Sequence, residues 1–141
     1  MASQADLAAV QHFYDEVAHG NFWVGKEIFD PAIEWQWGSS LSGITGNRTY
    51  HGFSEVEAAT KDWLRSWEWF RIELDELIDA GEKIVALTRG LGRARGATSD
   101  VVSSSADVWT MRNGKAIAFH GYDDREEALQ AVGLPSETAD S

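Results

Sequence analysis

The feature that most constrains this chain is an Asn113-Gly114 pair between two runs rich in apolar residues, 103–112 and 115–122. Asn-Gly is a preferred pair for a two-residue hairpin turn, because both central residues of that turn need a positive φ. The two runs are therefore predicted to pair as antiparallel strands. Asp124 then begins a last helix, which is predicted to end at Gly133 before a proline.

The first of these strands has a polar character on one face. Side chains alternate between the faces of a strand, so Ser103, Ser105, Asp107, Trp109 and Met111 share one side. An acid beside a large aromatic ring and two hydroxyl groups is unusual in a closed core and is typical of a ligand cavity of mixed polarity. Asp107 is therefore the leading functional candidate. The alternative is a structural carboxylate bonded to Ser105, a tyrosine or an arginine.

The length and the charge limit the possible classes of protein. The 141 residues, 43% of them hydrophobic, predict one domain over 1–135 followed by a loose tail over 136–141. The formal charge of −11 argues against nucleic acid or an anionic membrane as a partner, because both require a basic surface. The absence of cysteine excludes disulfides and thiolate chemistry. No secretion signal or membrane span is visible, so we expect a cytoplasmic protein.

Hydrophobic periodicity predicts helices in the first half of the chain and strands in the second. Helices are predicted over 3–20, 22–29 and 124–133. A further helix is predicted to begin at a capping box that Ser54 and Glu57 form. Strands are predicted over 33–37, 70–74, 84–95, 101–112 and 115–122, with a loop over 38–46. This order is typical of an α+β domain whose helices cover one face of a curved sheet.

Several segments, in this order along the chain, carry a family resemblance. They are FDPAIEW over 29–35, YHGFSEV over 50–56, DAGEKIVAL over 79–87, GRARG over 92–96, VWTMRNGK over 108–115 and YDDREEAL over 122–129. Together they resemble the SnoaL-like polyketide-cyclase group of the nuclear-transport-factor-2-like superfamily, from about Asp6 to Leu134.

The resemblance implies an α+β fold with a cone-shaped, strongly curved mixed or antiparallel sheet wrapped on N-terminal helices. It also implies one deep pocket and, often, a homodimer. Relatives of this kind include ketosteroid isomerases, aldol cyclases, epoxide hydrolases and dehydratases, so one reaction is not implied.

Carried over by position, the resemblance places Asp107 where ketosteroid isomerases have the acid that donates to the developing oxyanion. The position of their general base falls near Gln36, whose amide cannot accept a proton from carbon at neutral pH. Their helix-one tyrosine falls at Phe13, with Tyr14 adjacent. The cyclase acid on the last strand falls near Gly121.

The catalytic candidates are Asp107, Tyr14, His120 and Arg89. His120 has a suitable pKa range for proton transfer, but alternation from Phe119 points it away from the pocket, towards the surface or a dimer contact. Arg89 is expected either to pair with Asp107, as in the Asp-Arg-Asp arrangement of epoxide-hydrolase relatives, or to form a plain salt bridge.

The candidates for ligand contact are mostly aromatic. They are Trp37, Trp63, Trp67, Ser103, Ser105, Trp109 and Phe119. For the tryptophans, burial in the core or in a dimer interface is the alternative. His12, His19 and His51 do not form a two-His-plus-carboxylate pattern, so no metal is expected, and no cofactor.

Two functions are consistent with these residues. The first is an enzyme that performs acid/base chemistry, such as isomerisation, cyclisation, dehydration or hydrolysis, on a small, partly apolar carbonyl or polyketide-like molecule. The second is a non-catalytic binding or dimerisation module with the same pocket. A homodimer is expected through an outer sheet face that carries Val102, Val108, Ala118 and Tyr122.

Overall fold

The computed structural model describes residues 3–21, 25–36 and 49–134. The helices are α1 (Gln4–Ala18), α2 (Gly25–Ile28), α3 (Gly52–Leu64) and α4 (Arg125–Ala131). The strands are β1 (Phe29–Gln36), β2 (Tyr50–His51), β3 (Trp67–Asp79), β4 (Lys83–Ala94), β5 (Val101–Arg112) and β6 (Lys115–Tyr122). The expected loop over 38–46, the expected tail over 136–141, Trp37 and the beginning of the expected second helix lie outside the described residues.

The six strands form one mixed sheet in the order β2-β1-β6-β5-β4-β3. Strand β1 is parallel to β6, and the other neighbouring pairs are antiparallel. Asn113 has φ 53° and Gly114 has φ 78°, as the predicted hairpin turn requires, and Arg112 lies opposite Lys115. The predicted α+β fold and the pairing of β5 with β6 are confirmed.

Helix α1 places one apolar side against the sheet. Ser3 caps it, because its Oγ accepts a hydrogen bond from the backbone N–H of Asp6 over 3.1 Å. Its buried residues, at helical spacing, are Val10, Phe13, Tyr14 and Val17. This spacing brings the Tyr14 hydroxyl group to the inner face of the sheet.

The predicted start of α3 at a Ser54 capping box is wrong. The helix begins at Gly52, whose φ of +80° allows the chain to turn directly from β2 into the helix. The N-cap residue is His51, and its backbone N–H donates to Oε1 of Glu55 over 3.0 Å. The reciprocal carboxylate of a capping box is therefore present, but with a different residue pair from the one predicted.

The first strand is longer than predicted and includes a proline. It begins at Phe29, which the sequence pattern predicts to lie in the second helix, and it contains Pro31. The pairing of β1 with β6 shifts register between Phe29 and Glu34. Pro31 lies inside this irregular stretch, where a missing backbone N–H removes no regular ladder bond.

Each face of the sheet has its own apolar cluster. The inner cluster packs under α1 and α3 and includes Ile33, Trp35, Trp109 and Phe119. On the outer face, α4 covers Val85, Leu87, Ala106 and Val108 with Ala128 and Leu129. Part of the patch that predicted a dimer is therefore covered by the chain's own helix, whereas Val102 remains 64% exposed.

Candidate functional site

A cavity of about 360 Å³ lies between helices α1 and α3 and the inner face of the sheet. Its aromatic lining consists of Phe13, Trp35, Trp63, Trp67, Phe70 and Phe119. Its polar lining includes Tyr14, Thr88, Ser103, Ser105, Asp107 and Asp123. A concave, mostly apolar space with a few polar groups is typical of a site for a small molecule.

Asp107 enters this cavity from the middle of β5. It lies opposite Ala86 of β4 and Gly121 of β6, so small residues flank it on both sides. Gly121 lines the cavity and has no side chain that could cover the carboxyl group. Ser105 and Ser103 follow at two-residue steps on the same face, as alternation predicted.

Tyr14 holds the carboxyl group of Asp107 from α1. Its hydroxyl group donates to Oδ2 of Asp107 over 2.5 Å. The same hydroxyl oxygen accepts a hydrogen bond from Nε1 of Trp109 over 2.9 Å. Tyr14 is only 2% exposed, so the bond between Tyr14 and Asp107 is shielded from bulk water.

Burial raises the pKa of Asp107 to about 7, and the hydrogen bond from Tyr14 opposes this by favouring the anion. Burial also raises the pKa of Tyr14 well above its ordinary value, and the nearby charge of Asp107 acts in the same direction. Tyr14 therefore keeps its proton and remains a donor. Asp107 is poised to exchange a proton near neutral pH.

The other carboxyl oxygen of Asp107, Oδ1, is available to a ligand. Within the described residues, the only hydrogen bond to this carboxyl group is the one from Tyr14 to Oδ2. The Asp107 side chain is half-buried, because the cavity is open beside it. In its acid form Oδ1 can donate to a carbonyl oxygen, and in its anionic form it can accept a proton.

Thr88 and Ser105 form a hydroxyl pair beside Asp107. Their Oγ1 and Oγ atoms are 2.9 Å apart, and Thr88 is buried. Behind them, Arg125 donates to the backbone carbonyl oxygens of Ser105 over 3.2 Å and of Thr88 over 2.9 Å. Helix α4 therefore fixes the backbone of two residues that line the cavity.

Arg89 does not reach the cavity, and of its two predicted alternatives the pairing with Asp107 is not formed. Its Nε donates to Oδ1 of Asp75 over 2.9 Å, and its side chain is 46% exposed. The reason is alternation along β4: Thr88 and Gly90 face the cavity, so Arg89 between them faces outwards. The alternative of a plain salt bridge describes its position.

His120 also lies away from the cavity. It lines a separate groove on the outer face, together with Lys83, Val108 and Thr110. Its ring stacks on Tyr122 at 4.2 Å. Burial lowers the pKa of His120 from its ordinary value. The structure therefore does not bring His120 together with Asp107.

The tryptophans divide into two groups. Trp63 and Trp67 line the cavity. Trp109, a predicted ligand contact, does not: it is 0% exposed, and it packs edge-on against Phe13 at 4.9 Å. Its polar contribution is the N–H that it donates to Tyr14. Trp37, the remaining predicted tryptophan, lies outside the described residues.

Sequence reasoning missed several lining residues, among them Thr88, Phe70 and Gly121. Thr88 lies two residues before Gly90 in β4, so the two residues face the same side of the sheet, and the alternation of the strand could have indicated Thr88. Phe70 was assigned to a strand, but its contact with the cavity depends on how β3 packs under α3. Gly121 was noted only as the position of a missing acid.

Two further properties concern the described part of the chain. No group of three or more His, Asp or Glu side chains there is arranged to hold a metal ion. None of the helices there has the length and apolar character that a membrane crossing requires.

The fold and the cavity together define a class: an α+β protein whose curved sheet encloses a pocket with a carboxyl group at its inner face. The sequence matches the family model described as SnoaL-like domain over residues 10–119. The chain therefore belongs to the SnoaL-like family, within the nuclear-transport-factor-2-like superfamily.

Solved structures share the fold at low sequence identity. An NTF2-like protein of unknown function from Burkholderia pseudomallei is 23% identical, with a TM-score of 0.76 over 94% of this chain and 100% of that one. A putative SnoaL-like polyketide cyclase from Jannaschia is 16% identical, with a TM-score of 0.73 over 96% and 99%.

A third similar structure contains a small molecule. This protein from Catenulispora acidiphila, with a ketosteroid isomerase-like fold and bound trimethylamine, is 14% identical, with a TM-score of 0.69 over 90% of this chain and 93% of that one. No curated protein matches the sequence significantly.

Proposed function

We propose that this protein is an enzyme that performs acid/base chemistry on a small, partly apolar carbonyl compound. Asp107 transfers the proton, Tyr14 positions Asp107, and the aromatic lining holds the hydrocarbon part of the ligand. Isomerisation, cyclisation, dehydration and hydrolysis all belong to this class of chemistry. The description of the Jannaschia relative as a putative polyketide cyclase supports the same class.

The observation that carries the proposal is the state of the Asp107 carboxyl group. It faces a ligand-sized cavity, one oxygen is fixed by Tyr14, and its pKa is raised to about 7. A group with a pKa near the working pH is the most effective general acid or base. The anion would take a proton from the carbon next to the carbonyl, and the acid would return it to a different atom.

The charge of the lining disfavours an anionic ligand. Among the described residues, Asp107 and Asp123 are the charged side chains that line the cavity, and both are acids. A carboxylate or phosphate inside the cavity would lie close to them in surroundings of low polarity, where repulsion is strong. Uncharged ketones are therefore the appropriate first probes.

Exchange of α-protons in deuterium oxide tests the proposal directly. The protein is incubated with a panel of small ketones, and the loss of their α-proton signals is followed by NMR. We expect Asp107→Asn to lower the enzyme-dependent exchange by at least about a hundredfold, the range for loss of a general base. The matched control is Asp100→Asn, because Asp100 is an exposed carboxylate that pairs with Arg93.

Two outcomes would contradict the proposal, one for the role of Asp107 and one for catalysis itself. Exchange that Asp107→Asn leaves unchanged would remove Asp107 from the reaction. Ketones that bind, as shown by quenching of tryptophan fluorescence, without any exchange above the rate in buffer would favour the non-catalytic binding module.

We also propose that the protein is a homodimer that associates through the outer face of the sheet. Val102 lies on that face and is largely exposed, and the groove beside His120 and Tyr122 is not filled by α4. Exposed apolar surface of this kind favours association with a second copy.

A further inference from the structure

At its other end the cavity is lined by the aromatic rings of Trp63, Trp67 and Phe70. The ring centroid of Trp63 lies 5.8 Å from that of Trp67 and 4.3 Å from that of Phe70, at interplanar angles of 63° and 78°. Trp67 and Phe70 are 4.9 Å apart. We call these three rings the aromatic corner. Their planes are steeply inclined to one another.

Two glycines of β4 allow the aromatic corner to exist. A Cβ atom on Gly92 would lie 2.7 Å from Cδ2 of Phe70 and 2.8 Å from Cε3 of Trp67. A Cβ atom on Gly90 would lie 3.2 Å from both Cζ of Phe70 and Oγ of Ser103. The rings therefore rest on the bare backbone of the strand, which makes room for a ligand above them.

The aromatic corner is distant from Asp107. Gly90 lies opposite Ser103 of β5, and Asp107 lies four residues further along the same strand. At about 3.4 Å per residue, the two ends are separated by roughly 13–14 Å. The hydroxyl groups of Ser103 and Ser105 lie along the wall between them.

We propose that the aromatic corner is a binding subsite for a flat apolar ring of the substrate, whose reactive carbonyl group lies at Asp107. The substrate is then an elongated, uncharged ketone with a planar ring at the end remote from the reaction. This assignment rests on the proposed function, because it takes the reactive end to be at Asp107. Rings that pack edge-to-face or offset gain more than their buried area alone provides.

A matched series of ketones tests the subsite. Methyl ketones with a terminal phenyl group on two, four or six methylene groups are compared with their cyclohexyl counterparts, with dissociation constants taken from tryptophan fluorescence. We expect the phenyl compounds to bind about two- to tenfold more tightly than the cyclohexyl compounds, but only when the chain is long enough to span the cavity.

Two variants locate this preference. Gly90→Ala, which pushes on Phe70 and Ser103, should remove the preference for phenyl over cyclohexyl. Phe70→Leu keeps an apolar side chain but removes a flat wall, and it should have the same effect if Gly90→Ala does not fold. Leu91→Ala is the matched control, because Leu91 is on the same strand but its side chain faces the other side of the sheet.

The outcomes separate this inference from the proposed function. Equal binding of phenyl and cyclohexyl ketones at every length, or an unchanged preference in both variants, would overturn the subsite while α-proton exchange could still occur. Loss of the preference in Gly90→Ala or Phe70→Leu, with the preference kept in Leu91→Ala, would support it. If no ketone bound at all, both the subsite and the proposed function would be wrong.

Discussion

The hydroxyl group of Tyr14 donates to Oδ2 of Asp107 over 2.5 Å, although 93 residues separate the two in sequence. The hydroxyl group of a phenol has one hydrogen, so Tyr14 cannot also donate to a ligand while this bond is intact. Its oxygen already accepts the N–H of Trp109. Tyr14 is therefore placed to orient Asp107 and to adjust its pKa, and Asp107 is the group that we propose to meet the ligand.

The first prediction concerns Tyr14→Phe. Removing the hydrogen bond takes away the interaction that lowers the pKa of Asp107, so this pKa should rise from about 7. A hydrogen bond to a charged group contributes about 1.5 kcal/mol, so the midpoint should move upwards by roughly one pH unit. The carboxyl carbon of Asp107 can be followed by NMR as a function of pH.

Trp109→Phe is the control for this change. It removes the N–H donated to Tyr14 but leaves the bond between Tyr14 and Asp107, so the midpoint for Asp107 should move much less. A Tyr14→Phe protein whose Asp107 titrates as in the wild type would show that the bond does not control this group.

The sequence predicted the position of Asp107 correctly for a simple physical reason. Strands alternate faces, and an Asn-Gly turn fixes the register of a hairpin, so the residues that share a face with Asp107 could be listed without a structure. The two possible helix-one residues were harder to separate. Phe13 and Tyr14 both belong to the buried side of α1, and only the packing of α1 on the sheet decides which one reaches Asp107.

The partner of Arg89 could not be predicted in the same way. Asp75, which binds Arg89, lies where β3 shifts register against β4, between Leu74 and Glu76. An irregularity of this kind changes which side chains share a face, and nothing in the local pattern marks it. The start of α3 depends similarly on the positive φ of Gly52. A pattern of hydrophobic and polar residues carries no information about this backbone angle.

The second prediction concerns Arg125, which connects α4 to three strands. It is 18% exposed, and besides the carbonyl oxygens of Thr88 and Ser105 it binds Oδ2 of Asp75 over 2.7 Å. Lysine keeps the charge but cannot reproduce the planar set of donors. We expect Arg125→Lys to lower the free energy of unfolding by about 1–3 kcal/mol, measured by urea denaturation.

Arg93→Lys provides the comparison for Arg125→Lys. Arg93 pairs with Asp100 at 2.8 Å, but both side chains are substantially exposed. Exposed pairs contribute about 0–1 kcal/mol, so this variant should unfold almost as the wild type does. If the two substitutions lowered the free energy of unfolding equally, Arg125 would not stabilise the fold more than an exposed ion pair does.

The third prediction is the assembly state. Light scattering at micromolar concentration should give about twice the 15.6 kDa mass of one chain. Val102→Asp places a charge on the most exposed apolar residue of the outer face and should shift the mass towards one chain. A single-chain mass for the wild type that does not change on concentration would contradict the homodimer.

The last prediction concerns the stability of Asp107→Asn as a function of pH. In the unfolded chain an aspartate titrates near about 4, whereas in the folded protein the pKa of Asp107 is about 7. At a pH below both pKa values, Asp107 is protonated in the folded and in the unfolded state. Between the two values only the folded state holds the proton, so each increase in pH favours unfolding, and above both values the difference is constant.

Wild type should therefore lose on the order of 2–4 kcal/mol from this group between about pH 4 and 8, and Asp107→Asn should not. Asp75→Asn should behave in the opposite sense. The hydrogen bond from Arg125 lowers the pKa of Asp75, so in wild type this carboxylate stabilises the fold above about pH 4 and its contribution is lost as the pH falls below that value, whereas Asp75→Asn lacks this contribution at every pH. Urea denaturation of the three proteins from about pH 2 to about pH 8 checks both signs. If the free energies of unfolding of wild type and Asp107→Asn changed in parallel with pH, the pKa of Asp107 would be the same in the folded and unfolded states. The raised pKa on which its role as an acid depends would then be wrong.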